Sequence, residues 1–596
     1  MNIKEILDFK IGGQWLVSPV AKETILCRES FTQEHRDIEK MVLKFASERI
    51  FPNVKEIEKL NENFSRSILK EMGNLGLIGV DAPEKYGGIE LDKITACIVT
   101  EGISFGGSSS FGCTFGVQTG IGSLGIVFFG TPEQKKKYLP KLMSGESIAA
   151  YGLTEPSSGS DALSAKTSAV LSEDGTHYIL NGEKQFVSNG GWADVYTILA
   201  QVDGNKFSGF IVDRNTKGFS VGPEEKKMGM KGSSTTSLKF TNAEVPVENL
   251  LYEVGKGASI AFNALNIGRY KLAAASVGGS KLAIRETLSY ALQRRQFGQP
   301  LSKFDSIIGK ISDITIQTYV ADTMLYRTVG MIQDAIDDLD KSDPAYFKKM
   351  GETMERFAVE ASMAKIYGSE TSSMVVDHCL QIFGGYGFIE EYPMAMPYRD
   401  DRINQIWEGT NEINRAIITG YMMKKVLMEE ISLRDYLKNL DVFLGTSIEK
   451  NKDEPFKKEQ HALKSAKMLT ALIFQEALCS FGQDLKHEQQ LSETLADMFT
   501  HLFTAESLIA RVQQTISPEQ NSTMAMSIAK IDVAESFLDM ILLSTKCLNR
   551  IFDEKTPKRI YDTVKKLTSK MKLRTDTIML KKLLGAYMFE QKKYPF

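Results

Sequence analysis

The chain has 596 residues, enough for about three to four domains, and its 42% hydrophobic and 25% charged residues are typical of a globular protein. A net charge of −3 gives no electrostatic case for nucleic acid, and six scattered cysteines with six histidines argue against a disulfide framework or a metal site. The N-terminus carries no targeting pattern and we find no run of about 18 apolar residues, so we expect a cytoplasmic protein.

The first 150 residues read as helical from Thr32 onward. Apolar residues recur there at helical spacing, a second helix is predicted over residues 67–77, and residues 93–149 predict two or three glycine-rich helices. The series Gly120, Gly122 and Gly125 fits the dinucleotide-binding pattern G-x-G-x-x-G, which has meaning only between a strand and a helix. We therefore interpret these glycines as residues that allow close packing or leave room in a cavity.

Residues 150–250 change to short alternating runs, which predict strands. Turn pairs separate these runs and favour hairpins, so we expect an antiparallel barrel or sandwich. The turn pairs are Asp174-Gly175, Asn181-Gly182, Asn189-Gly190 and Asp203-Gly204.

From residue 258 the helical pattern returns and continues almost to the end. Long helices are predicted over 259–293, 303–333 and 353–385, with a polar connection at Ser342–Ala345. The charged stretch Lys450–Glu459 reads as a linker or exposed loop. Beyond it, a helix face is followed by about three more helices that end near Lys582; the face consists of Ala462, Ala466, Leu469, Ile473 and Ala477.

The predicted fold is α+β and mainly α. It has an N-terminal helical domain (30–150), a middle antiparallel β domain (151–257), a C-terminal four-helix bundle (258–425) and an additional C-terminal helical bundle (445–596).

Two segments carry residues suited to chemistry. In Gln405–Arg415, Glu408 stands between Trp407 and Gly409, where apolar surroundings could make its carboxylate a general base; the alternative is a helix-dipole Glu. The segment Tyr151–Asp161 is rich in hydroxyls and backbone amides that could face a flat heteroaromatic ring or an anion; the alternative is an inter-domain loop.

These segments resemble, in order, motifs of the acyl-CoA dehydrogenases. Gln405–Arg415 is similar to the catalytic-base segment and Tyr151–Asp161 to the flavin-binding segment. Further matches are Lys184–Asn189, where Phe186 replaces the usual Trp, and then Leu265–Arg269, Arg294–Gly298 and Gln381–Gly385. The resemblance covers residues 30 to about 425, and the additional bundle makes the chain most similar to the very-long-chain branch.

The resemblance implies an FAD-dependent α,β-dehydrogenation of a saturated acyl-CoA to trans-2-enoyl-CoA in fatty acid β-oxidation. Glu408 would remove the α-proton while the β-hydride passes to flavin N5. Another branch of the family carries its base at the position of Gly268, which has no side chain here, so the base should be Glu408. Alternatives are an acyl-CoA oxidase that uses oxygen, and an assembly or scaffold protein with reduced activity.

The resemblance also implies the binding residues, with no metal among them. Substrate contacts are expected from Ser160, Asn266, Arg269, Trp407 and Gly409. FAD contacts are expected from Tyr151, Leu153, Thr154, Ser160, Phe186, Ser188, Arg294, Phe297, Gln381, Gly384, Gly385, Thr410 and Glu412, with the Gln381–Gly385 segment coming from a neighbouring subunit.

The expected partners are an electron-transfer flavoprotein and a second copy of the chain, in a homodimer or homotetramer. A weak membrane association is a further hypothesis, based on a small apolar face at Leu437, Leu440, Val442 and Phe443. The uncharged stretch Cys113–Val117, matched to the floor of the acyl cavity, predicts acyl chains of about 14 carbons or more, since each buried CH₂ adds roughly 0.8 kcal/mol.

Overall fold

The computed structural model describes residues 11–19, 24–446, 455–553 and 555–596. Its first region is helical. The first α-helix begins at a capping box in which the Thr32 hydroxyl accepts from the backbone N–H of His35 at 3.1 Å. The prediction of two or three helices between residues 93 and 149 was too low, because there are four. The helices are α1 (Gln33–Phe45), α2 (Val54–Ile57), α3 (Glu62–Asn74), α4 (Lys93–Ser104), α5 (Ser109–Thr119), α6 (Leu124–Phe129) and α7 (Pro132–Met143).

The middle region is one twisted sheet of eight strands. Its order is β6-β7-β3-β2-β4-β5-β8, with β1 beside β4. The strands are β1 (Ala149–Gly152), β2 (Ser168–Leu171), β3 (His177–Ser188), β4 (Val195–Val202), β5 (Lys206–Asp213), β6 (Phe219–Glu224), β7 (Thr235–Pro246) and β8 (Leu250–Leu251).

The expected antiparallel pairing holds for most of this sheet but not for all of it. The hairpins at Asp174-Gly175 and Asp203-Gly204 give antiparallel pairs, whereas β1 and β2 each pair with β4 in parallel. No hairpin turn joins β1 or β2 to β4, so the turn chemistry that predicted antiparallel neighbours does not set their direction.

A long-helix bundle follows the sheet and carries the loop of Glu408. The connection predicted at Ser342–Ala345 is confirmed, but the helix predicted over 353–385 is divided between two helices. The elements are α8 (Gly257–Gln293), β9 (Arg295–Gln296), β10 (Gln299–Pro300), α9 (Asp305–Asp337), α10 (Tyr346–Glu355), α11 (Ala358–Phe383), α12 (Ala395–Asp401) and α13 (Asn411–Leu427). Helix α11 packs along α8, α9 and α13, and so lies at the centre of the bundle.

The last region is a second helical bundle that packs on α9 and α13. Four helices follow α16 rather than three, and the last ends at Gln591, beyond the predicted end near Lys582. Half of the predicted linker Lys450–Glu459 lies outside the described residues, and α16 begins at Lys457. The helices are α14 (Leu433–Leu437), α15 (Leu440–Leu444), α16 (Lys457–Phe481), α17 (Gln489–Gln514), α18 (Gln520–Ile551), α19 (Lys558–Met571) and α20 (Thr577–Gln591).

The apolar face suggested for membrane contact is not free. Phe443 is 3% exposed and packs against His461, with ring centroids 5.2 Å apart. Leu437 and Leu440 pack against the same core, and Val442 is the member of the four that is exposed. The membrane hypothesis therefore loses the surface on which it was based.

The expectation about apolar runs needs a correction. The stretch Ser109–Phe129 is long and apolar enough to cross a membrane by length and composition, but 83% of its most apolar 18-residue window, which has a mean hydropathy of 1.4, is buried in the protein. It forms α5 and α6, and the glycines of the G-x-G-x-x-G pattern lie at and after the break. A Cβ on Gly122 would come 2.8 Å from the Cβ of Ala149 in β1, so this glycine allows close packing, as its position between helices indicated.

Candidate active site

The loop that carries Glu408 has an unusual backbone conformation. Glu408 has φ 58° and Gly409 has φ 80°, so two successive residues are left-handed immediately before α13. A left-handed residue other than glycine costs of the order of 1–3 kcal/mol and persists only where its surroundings hold it. Thr410 then caps α13, because its hydroxyl accepts from the backbone N–H of Ile413 at 3.2 Å.

The carboxylate of Glu408 occupies the space that Gly268 leaves open on α8. A Cβ at Gly268 would come 2.5 Å from Oε2 and 2.8 Å from Oε1 of Glu408. Any larger residue at position 268 would therefore collide with this carboxylate. The position where another branch of the family has its base thus makes room here for Glu408.

The electrostatic environment makes Glu408 a stronger base than an ordinary glutamate. Its Oε2 atom is buried and has no hydrogen-bond partner. Burial raises the pKa of Glu408 to about 7, although the nearby cations of Arg269 and Lys365 act to lower it. A carboxyl group with a pKa near neutrality is matched to general-base work at physiological pH.

Three side chains hold the backbone of this loop. Lys365 of α11 donates from Nζ to the Gly409 carbonyl at 2.9 Å and to Asn411 Oδ1 at 2.7 Å. Asn414 Nδ2 donates to the same Gly409 carbonyl at 2.8 Å, and Arg269 Nε donates to the Glu408 carbonyl at 3.4 Å. Sequence reasoning missed Lys365 and Asn414; Asn414 lay within the quoted segment, but no local pattern pointed to Lys365.

Two residues predicted to contact substrate lie beneath this loop. Asn266 and Arg269 are 3% and 5% exposed, and Arg269 Nη1 donates to Asn266 Oδ1 at 2.7 Å. Of the other expected substrate contacts, Trp407 donates from Nε1 to Asn404 at 3.1 Å, and Ser160 is exposed on the loop after β1.

The segment Tyr151–Asp161, predicted to contact the flavin ring, begins in β1 and continues as a loop that is hydrogen-bonded to β3. Glu155 of this loop makes the main side-chain contacts. The Glu155 carboxylate accepts from Lys184 Nζ at 2.6 Å and from the backbone N–H groups of Lys166 and Thr167. This buried pair joins the loop after β1 to the middle of β3.

The Leu153–Thr154 pair is fixed against β3 by two further hydrogen bonds. The Leu153 carbonyl accepts from Lys184 Nζ at 3.2 Å, and the Thr154 carbonyl accepts from the backbone N–H of Gln185 at 2.8 Å. Tyr151 precedes this pair on β1; it is 8% exposed, and its hydroxyl has no hydrogen-bond partner.

The Thr154–Gln185 backbone hydrogen bond also precedes a β-bulge that turns Phe186 out of the sheet. Phe186 has φ 57° and is 59% exposed, and Ser188 ends the same strand. Asn189 then ties this corner to its neighbours, because its Nδ2 donates to the carbonyls of Thr114 and Ala149, each at 3.1 Å. An exposed aromatic face held on a rigid strand fits a partner with a flat ring.

A second group of predicted FAD residues forms a separate pocket of about 530 Å³. Arg294, Gly384 and Gly385 line it together, and the Arg294 guanidinium lies 5.3 Å from the centre of the Tyr386 ring. A Cβ on Gly384 or Gly385 would meet no atom within 4 Å, so the backbone is open to a ligand here. An arginine beside exposed glycine backbone fits a pyrophosphate.

Other predicted FAD residues do not line this pocket. Gln381 is exposed at the end of α11, and Phe297 is 93% exposed on the turn between β9 and β10. Thr410 caps α13, and Glu412 is exposed in its first turn. The residues that fit FAD therefore form two groups: those at the β1–β3 corner suit its flat ring, and those around Arg294 suit its pyrophosphate.

The fold thus carries a carboxylate on a strained loop, a corner suited to a flat ring and a pocket suited to a pyrophosphate, a combination that suits a flavin-dependent enzyme. Models of the acyl-CoA dehydrogenase N-terminal, middle and C-terminal domains match residues 32–146, 150–243 and 255–423, and a further acyl-CoA dehydrogenase C-terminal domain matches residues 464–566.

Known proteins agree with these matches. The chain is 41% identical over 597 residues to a probable acyl-CoA dehydrogenase of Bacillus subtilis, with 99% of each chain covered. It is 37% identical to the human mitochondrial very long-chain specific acyl-CoA dehydrogenase, over 70% of this chain and 62% of that protein. The crystal structure of an acyl-CoA dehydrogenase complexed with FAD from Bacillus anthracis superposes with a TM-score of 0.94 at 38% identity, covering 98% of this chain and 100% of that one.

The chain therefore belongs to the acyl-CoA dehydrogenase family, and it is an FAD-dependent enzyme. The family resemblance and the mainly helical fold with a middle β domain, predicted from the sequence, are confirmed.

Proposed function

We propose that the protein oxidises saturated long-chain acyl-CoA thioesters to trans-2-enoyl-CoA, with Glu408 as the base that removes the α-proton. The observation that carries this proposal is the Glu408 carboxylate, which has a buried oxygen without a partner and a pKa raised by burial to about 7. A structural carboxylate would be paired when buried, so an unpaired one is available to accept a proton.

The residues around Glu408 have two roles: some hold the loop that carries the base, and the backbone N–H of Glu408 stabilises the charge that develops on the thioester oxygen. Arg269, Lys365 and Asn414 fix the loop, so that Glu408 is positioned before substrate arrives. The backbone N–H of Glu408, by family resemblance, donates to the thioester oxygen as charge develops there. A preorganised donor of this kind is worth about 3–4 kcal/mol.

Bound FAD supplies the acceptor for the hydride that leaves the β-carbon. We propose that Leu153, Thr154, Phe186 and Ser188 hold its ring, and that Arg294 with the Gly384–Gly385 backbone holds its pyrophosphate and adenosine half. The first group lies at the β1–β3 corner, the second lines the pocket around Arg294, and the exposed Phe297 suits burial against a second chain. We therefore propose a homodimer or homotetramer in which each FAD contacts two protomers.

The preference for long acyl chains rests on the side of α5 that carries Gly112, Cys113 and Gly116. These three residues are partly accessible, and Cys113 is close enough to Glu408 for the charge of Glu408 to contribute to raising the pKa of its thiol. A Cβ on Gly116 would meet no atom within 4 Å, so open space continues along the helix. We propose that this space takes the distal part of the acyl chain.

A chain-length series of kcat/KM from butyryl-CoA to stearoyl-CoA tests the substrate class. We expect the maximum at about 14 carbons or more, since each further buried CH₂ adds roughly 0.8 kcal/mol. Gly116→Leu should move the maximum to shorter chains and leave butyryl-CoA turnover unchanged. A wild-type maximum at butyryl-CoA or hexanoyl-CoA would contradict the proposal.

An anaerobic titration of the purified holoenzyme with palmitoyl-CoA tests the reaction itself. We expect the flavin absorbance to bleach in the wild-type protein. The electron acceptor is a separate question: we propose an electron-transfer flavoprotein, and rapid release of hydrogen peroxide in air would instead identify an oxidase.

A further inference from the structure

The side chain of Lys365 is a buried cation that approaches the catalytic loop from α11. The residue is 0% exposed, and its Nζ atom donates to the Gly409 carbonyl and to Asn411 Oδ1. These acceptors lie one and three residues after Glu408. Lys365 therefore contacts the backbone that follows Glu408 in its left-handed conformation, and it acts on the base from the side of the protein core.

A buried ammonium needs a reason, because removing it from water costs several kcal/mol unless it is paired. The two acceptors that Lys365 contacts are neutral oxygens rather than a carboxylate. The acidic groups whose charge acts on it are Glu408 first, followed by Glu370 and Glu412. The positive charge is thus placed where it favours the ionised form of Glu408.

We propose that Lys365 is a positioning residue for the dehydrogenation: it holds the Glu408–Gly409 turn through the Gly409 carbonyl and favours the ionised form of Glu408 near neutral pH through its charge. This inference rests on the function proposed above. It assigns two separable contributions to one side chain, a hydrogen bond that sets geometry and a charge that sets the protonation state of the base.

Arg269 also lowers the pKa of Glu408 through its charge, but Lys365 is the one of these two cations whose charge changes near neutral pH. Arg269 on α8 stays charged, since burial lowers its pKa only to about 10. Burial raises the pKa of Tyr151 on β1 and of Cys113 on α5, so both stay neutral. Burial lowers the pKa of Lys365 to about 8, against the opposing effect of Glu408, so its charge is present at pH 7 and is lost above pH 8.

Three substitutions separate the two contributions. Lys365→Gln keeps a donor but removes the charge, Lys365→Met removes both, and Lys365→Arg keeps the charge. In the holoenzyme, we expect the acidic limb of the kcat/KM profile to move to higher pH by about one unit in K365Q and K365M, and to stay near its wild-type position in K365R. K365M should also show a lower plateau at high pH, because the turn loses its hydrogen bond.

The matched control is Lys425→Met, which removes another buried lysine from α13; Lys425 is 6% exposed and pairs with Glu430 at 3.5 Å. We expect its acidic limb to stay at the wild-type pH. FAD content and the melting temperature of every variant identify those that lose the fold. If K365M does not fold, K365Q alone decides the role of the charge.

A second measurement follows the carboxyl group without turnover. The infrared absorption of the protonated Glu408 carboxyl, taken as the difference between each protein and the same protein carrying Glu408→Gln, should titrate at higher pH in K365Q than in wild type. If the band titrates at the same pH in both, or if K365Q and K365M lower activity equally at every pH, the inference is wrong. If wild type fails to oxidise acyl-CoA but the band still shifts, the proposed function fails and the effect of Lys365 stands.

Discussion

Two of the regions that bury carboxylate oxygens give them opposite surroundings. At the junction with the additional bundle, Asp322 is 1% exposed and is paired with Arg28, Lys281 and Arg511 at 2.7–3.0 Å. In the loop before α13, Glu408 has a buried oxygen with no hydrogen-bond partner. Burial alone would raise both pKa values, but the three cations hold the pKa of Asp322 far below its usual range, whereas the pKa of Glu408 rises to about 7.

This difference in pairing corresponds to a difference in role between the two carboxylates. A fully paired carboxylate stays ionised and joins parts of the chain that are far apart in sequence: Arg511 of α17 reaches both Glu29 and Asp322, and Glu506 of the same helix meets Arg327 of α9. A carboxylate left unpaired cannot stabilise the fold in its ionised form, and is free to exchange a proton.

Removing the base should have the largest effect. We expect Glu408→Gln to lower kcat for palmitoyl-CoA by about 10³- to 10⁴-fold, because an amide cannot accept the α-proton. FAD content should be retained, since the substitution is nearly isosteric. Stopped-flow measurement of flavin bleaching checks the rate, with the exposed Glu352→Gln as control. Bleaching at the parent rate would refute Glu408 as the base.

Breaking the paired region should cost stability rather than activity. We expect Arg511→Met to lower the free energy of unfolding by about 3–5 kcal/mol, because it leaves Asp322 short of one partner in a buried site. Arg550→Met is the matched control: it removes an arginine of the same bundle whose pair with Glu488 is partly exposed, 48% and 28%, and should cost less than about 1 kcal/mol. Denaturant unfolding measures both, and equal costs would contradict the distinction.

The unpaired region should gain stability when its carboxylate is neutralised, and the gain should depend on pH. The folded pKa of Glu408, about 7, lies above its unfolded value of 4.5, so ionisation opposes folding progressively as pH rises from 4.5 to 7. We expect Glu408→Gln to match wild type at pH 4 and to exceed it at pH 8 by up to about 3 kcal/mol. Melting temperatures across this range check the sign; a variant less stable at pH 8 than wild type would contradict it.

A single methyl group should disturb the base without removing it. We expect Gly268→Ala to reduce kcat/KM by about 10²-fold, because the new Cβ would displace the Glu408 carboxylate, which lies 2.5 Å from that position. Gly279→Ala on the same helix is the control, since its Cβ would meet no atom within 4 Å. Equal activity in the two variants would show that Gly268 is not needed for room.

The family, the order of helical and β regions, and the choice of Glu408 as the candidate base could be predicted from the sequence, because they depend on local patterns and on motifs that occur in a fixed order along the chain. Phe186 could be identified as the aromatic residue of a flavin motif without coordinates. The parallel pairings of β1 and β2 with β4 could not be predicted, because no hairpin turn connects those strands directly.

The suitability of Glu408 as a base could not be predicted from the sequence, because it depends on contacts that only the folded chain makes. Arg269 and Glu408 are 139 residues apart in the chain, and Gly268 and Lys365 come from other places in it. Only folding brings the space left by Gly268 and the cations of Arg269 and Lys365 together around one carboxylate and buries its Oε2 atom. The pKa of that carboxylate depends on these non-local neighbours and on the exclusion of water, and neither is a property of the residues that flank it in sequence.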